Sequence, residues 1–68
     1  MIKIKVQELL EQNQKTRYWL VHQMQTTYVT VNKICDNEAK GLKLETIEKL
    51  CLIFECTPND LFEVIQED

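Results

Sequence analysis

A single glycine and a single proline serve the whole 68-residue chain. Small domains built on strands need turn formers every few positions, so this scarcity favours helices joined by short corners. The length allows one domain, residues 1–68. A chain of this size buries only about 60% of the surface its unfolded form exposes, which leaves one modest core and no cleft between lobes. Apolar residues at 44% and charged residues at 28% are globular proportions, not those of a disordered tail.

Several classes drop out early. The longest apolar run, Leu50 to Phe54, is five residues, far short of the roughly 18–20 that span a bilayer. Met1-Ile2-Lys3-Ile4-Lys5 lacks the apolar segment and cleavage site of a secretory signal. Cys35, Cys51 and Cys56 form no CxxC pair, and an odd count argues against a disulfide scaffold. A zinc site would have to recruit the lone His22. The expectation is a soluble, reduced, cytoplasmic protein with no membrane partner, metal, cofactor or small-molecule ligand. An enzyme is not expected either, since no nucleophile, base and orienting group share a recognisable spacing.

Periodicity orders the helices. Ile2, Ile4 and Val6 alternate with lysines, as in a short strand. From about Lys5 to Gln12 the spacing becomes three and four. Thr16 can cap a second helix whose stripe is Leu20, Val21 and Met24, with Trp19 at its flank. Thr27 can cap a third, reaching about Cys35, with Val31 and Ile34 inward. Leu44, Ile47, Leu50, Cys51 and Phe54 mark a fourth. Thr57-Pro58-Asn59-Asp60 is a helix start with cap, first-turn proline and returning acid, and opens a short fifth helix carrying Leu61 and Phe62. Ile2–Lys5 and Val64–Gln66 are expected to pair as a ribbon resting on the helices, because two strands alone are marginal.

The net charge of −3 hides a division. Residues 1–14 balance, residues 15–43 sum to +3, and residues 44–68 sum to −6. A basic middle beside an acidic end suits a polyanion on one face.

Thr16 to Ile34 holds two short helices about a three-residue corner, the layout of a helix-turn-helix. The outward residues of its second helix are Tyr28, Val29, Asn32 and Lys33. Asn32 can donate to and accept from an adenine edge, Lys33 can reach guanine acceptors or a phosphate, and Val29 can meet a thymine methyl. Tyr28 can bond a phosphate or lie against a base. Arg17, Thr27 and the helix starts suit phosphate oxygens, and Lys40 and Lys43 can extend that footprint. The plainer alternative is a solvated helix face with ordinary surface lysines. His22 reads as a surface residue and the cysteines as small core residues. Leu52 and Ile65 are surplus to one core and suit either an association surface or packing beneath the C-terminal segment.

Thr16-Arg17-Tyr18-Trp19-Leu20 and Thr27-Tyr28-Val29-Thr30-Val31-Asn32-Lys33-Ile34 resemble the Cro/CI-type helix-turn-helix family, the XRE family of bacterial and phage transcription regulators. The likeness runs on through Leu44-Glu45-Thr46-Ile47-Glu48-Lys49-Leu50-Cys51 and Cys56-Thr57-Pro58-Asn59-Asp60-Leu61-Phe62, and covers about Val6 to Phe62. It implies an all-α, five-helix, lambda-repressor-like bundle, operator binding through the third helix, and usually a homodimer. By position it points to Arg17, Thr27, Tyr28, Val29, Asn32 and Lys33. Four residues depart from the pattern: Val21 stands at the usual small residue of helix two, Thr26 at the usual aliphatic after the turn, and Arg17 and Gln25 differ as well. Arg17 stands where the family commonly has a glutamine that bonds phosphate and braces the recognition helix. Gln25 stands where the turn usually has glycine for its positive φ, a replacement costing on the order of 1 kcal/mol.

The reading is a sequence-specific DNA-binding regulator, more simply a repressor than an activator. The competing reading, supported by the net negative charge and the surplus apolar residues, is a protein-binding module on the same fold, such as an antitoxin-like or antirepressor partner.

Overall fold

Threonine caps fix where three of the five helices begin. In the computed structural model, which describes residues 1–66, Thr16 Oγ1 accepts from Trp19 N–H at 3.1 Å. Thr27 Oγ1 accepts from Thr30 N–H at 3.4 Å. At the third start, Asp60 Oδ2 accepts from the Thr57 backbone N–H at 3.1 Å, the returning half of a capping box. The helices are α1 (Val6–Gln12), α2 (Arg17–Met24), α3 (Tyr28–Cys35), α4 (Leu44–Phe54) and α5 (Pro58–Leu61). Two strands, β1 (Ile2–Ile4) and β2 (Phe62–Val64), complete the order. Glu67 and Asp68, part of the acidic end of the sequence, lie outside the described residues.

Four of the five helix ends share one device. Lys15 N–H bonds Leu10 C=O at 2.8 Å, Thr26 N–H bonds Val21 C=O at 3.2 Å, Glu38 N–H bonds Lys33 C=O at 2.8 Å, and Cys56 N–H bonds Cys51 C=O at 2.9 Å. Each is the six-to-one bond of a Schellman closure. The residue before each donor is left-handed: Gln14 at φ 55°, Gln25 at 53°, Asn37 at 61° and Glu55 at 51°. Gln25 therefore has the positive φ expected of the turn. None of the four is glycine, while Gly41 does not adopt positive φ.

One core collects a contribution from every helix. Val6, Leu10, Leu20, Val31, Ile34, Leu50 and Leu61 are fully buried, with Ile4, Met24 and Cys35 nearly so. Trp19 and Phe54 pack at its edge with ring centroids 6.0 Å apart, and the Lys15 ammonium lies 5.2 Å from the centre of the indole. No helix among the described residues is long and apolar enough to cross a membrane.

Two expectations need correction. Leu44, placed in the inward stripe of α4, is 83% exposed. It occupies the first helical position, a turn ahead of Ile47, which is the first α4 residue to pack on the core. The ribbon forms, but its strands are Ile2–Ile4 and Phe62–Val64, antiparallel, with Ile2 opposite Val64 and Ile4 opposite Phe62. The cause is α5, which ends at Leu61, so that Phe62 (φ −129°, ψ 150°) is already extended instead of helical. Lys5 N–H bonds Leu61 C=O at 2.7 Å and Ile65 N–H bonds Met1 C=O at 2.8 Å, which fixes this register at both ends. Ile4 turns its own N–H outward to Asn37 Oδ1 at 2.9 Å, tying the ribbon to the corner after α3.

Candidate nucleic-acid interface

α2 and α3 pack against each other through their apolar sides and leave the opposite side of α3 uncovered. Val31, Ile34 and Cys35 are buried, whereas Tyr28, Val29, Thr30 and Lys33 are exposed and Asn32 is half-buried. Val29 is 64% exposed, an apolar side chain presented to solvent in the first turn of the helix. Thr27 stands exposed at the start of α3, its hydroxyl also 3.3 Å from that of Thr30. Of the four outward residues of the sequence reading, Tyr28, Val29 and Lys33 thus share one accessible face, with the half-buried Asn32 at its edge.

Lys40 comes to this face from the following loop. Thr30, Lys33, Lys40, Lys43 and Thr46 line an open groove between α3 and α4, in which Glu38 is the one acidic lining residue. The rim is basic, and a polyanion entering it meets ammonium groups from two sides.

Arg17 is placed differently from its neighbours. Its Nε donates to Gln7 Oε1 at 2.9 Å, its Nη1 to Asn32 Oδ1 at 2.9 Å, and its Nη2 to Asp36 Oδ1 at 2.8 Å. A longer bond of 3.4 Å joins Nη1 to Asp36 Oδ2. The guanidinium therefore ties α1, α3 and the corner after α3 together. Asp36's hydrogen bond raises the already high pKa of Arg17 against the opposing effect of burial. The pair with Asp36 also neutralises the carboxylate at the end of α3. Burial pushes the Cys35 thiol up, which suits a small core residue rather than a nucleophile.

An aromatic cluster not expected from the sequence lies beside α3. Tyr18, 58% exposed, sets its ring 4.5 Å from that of His22 in an edge-on contact and 6.2 Å from that of Tyr28. This aromatic ledge joins α2 to the first turn of α3. The four-residue spacing of Tyr18 and His22 was the available signal. Among the described residues no three His, Cys, Asp or Glu side chains converge where a metal ion could be held.

Residues 5–67 match the Cro/C1-type HTH DNA-binding domain. The chain belongs to that family. The match takes in all five helices of this Cro/C1-type domain, the exposed face of α3 included. Among solved structures, it is similar to one described as "Crystal structure of a putative DNA-binding protein from Bacteroides fragilis". The likeness covers 93% of this chain and 100% of that one, with a TM-score of 0.82 and 24% identity. At that identity the likeness supports the fold alone. No match was found among curated proteins. The Cro/C1-type domain is a DNA-binding module, and double-stranded DNA is the partner its architecture implies.

Proposed function

We propose that this Cro/C1-type domain is a cytoplasmic repressor that occupies an operator as a homodimer, with α3 laid in the major groove. The observation that carries this reading is the face of α3: Tyr28, Val29 and Lys33 are exposed, Asn32 is half-buried beside them, and Lys33 borders a groove also lined by Lys40 and Lys43. Lysines and the capped start of α3 at Thr27 would supply phosphate contacts, which give affinity without sequence choice. Asn32, Val29 and Tyr28 would supply the choice, because each major-groove base edge differs in donors, acceptors and methyl groups. Leu52, 70% exposed on α4, supports the dimer.

Selection of bound sites from random duplexes, followed by titration against salt, tests the proposal. A steep fall of log K with log salt is expected, about 0.9 per phosphate contact. Lys33→Glu should abolish binding while the far-ultraviolet helical signal stays unchanged, and normal binding by that variant would place the reading face elsewhere.

A second reading is favoured by Leu44 and Leu52, which are 83% and 70% exposed. On it the domain docks another protein through α4. A duplex affinity that is weak and indifferent to salt would select this reading over the first.

A further inference from the structure

The contact between Arg17 and Asn32 bears on which base the domain selects. A guanidinium has donors only, so the atom of the Asn32 amide that meets it must be the oxygen. The observed bond, Nη1 to Oδ1 at 2.9 Å, has that sense. The opposite orientation would set two donors against each other. Arg17 is itself held on three sides by Gln7, Asn32 and Asp36, and Gln7 is steadied by donating from Nε2 to Glu11 Oε1 at 3.2 Å. Asn32 Nδ2 has no acceptor among the described residues and is left to solvent.

We propose that Arg17 is a positioning residue for Asn32. By fixing Oδ1 inward it leaves Nδ2 as the group offered to the groove, and so biases the base read by Asn32 toward guanine. Guanine presents two acceptors, N7 and O6, to a donor; adenine pairs an acceptor with a donor and needs Oδ1 free to accept from N6. Arg17, engaged with Asp36, then adds no phosphate contact of its own. The inference rests on the reading that α3 enters the major groove.

The experiment compares selected sites and salt slopes for the wild-type chain, Arg17→Met, Asn32→Ala and the double variant. The wild type should prefer guanine at one position by about tenfold. Arg17→Met should shift that position to adenine with the salt slope unchanged. Asn32→Ala should relax the same position, and adding Arg17→Met to it should change nothing further. A fall of about 0.9 in the slope with base preference intact would show a phosphate contact and overturn the proposal. A wild-type chain that selects no duplex overturns the groove reading itself, and the two failures are thereby distinct. Should Arg17→Met not fold, nuclear magnetic resonance of the wild-type chain decides. On addition of the selected duplex the Asn32 Nδ2 signals should move and the Arg17 guanidinium signals stay; movement of the Arg17 signals with release of Asp36 overturns the assignment.

Discussion

α3 and α4 are both half sunk in the same core, yet their outer faces are made by different means. α3 buries three residues, and part of what remains outside is held by side-chain hydrogen bonds: Thr27 closes its start and Arg17 fastens Asn32. α4 fully buries only Leu50, starts at Lys43 without a side-chain cap, and leaves Leu44 and Leu52 in solvent. A side chain fixed in direction can discriminate among partners, because the wrong partner leaves polar groups unpaired. An exposed leucine contributes area without direction. On the proposed function, the contrast suits α3 to recognition of a patterned surface and α4 to association.

The largest effect should come from the single anchor of α4. Leu50→Ala is expected to cost about 2–5 kcal/mol in urea unfolding, since a fully buried leucine leaves a cavity behind it. A loss much below that would mean the half-buried Ile47, Ile53 and Phe54 share the anchoring. Asn32→Ala should weaken the selected duplex by about 1–3 kcal/mol and leave random duplex nearly untouched. Equal losses on both would erase the directional character attributed to α3. At the corner leading into α3, Gln25→Gly should raise stability by roughly 0.5–1 kcal/mol, because φ 53° strains any side chain with a Cβ. A thermal melt that moves downward would contradict this. Smallest of all, Leu52→Lys should change folding stability by less than about 0.5 kcal/mol, while lowering the sedimenting mass if α4 joins two copies. An unchanged mass would remove Leu52 from the association surface.

The elements of this fold were legible because their starts are written locally. Thr16, Thr27 and Thr57-Pro58 each announce a helix within four residues, and Leu20, Val31, Ile34, Leu50 and Leu61 follow the period that buries them. Periodicity misplaced Leu44 because a helical repeat says which side a residue faces, not whether the core extends that far. It placed Phe62 in α5 because one turn of helix has no period to read. Of the candidate site, the outward face of α3 could be read from its own repeat. Arg17's engagement could not. Its partners Gln7, Asn32 and Asp36 lie 10, 15 and 19 residues away, and only the packing of α1 and α2 against α3 brings them together.

The ribbon has one more consequence. The ammonium of Met1 donates to Ile65 C=O at 3.1 Å, so the first residue and the end of the described chain stand side by side. A one-residue slip of β1 against β2 would turn Ile4 out of the core and carry the bond between Lys5 and Leu61 with it, so the register of two three-residue strands governs how the bundle is closed.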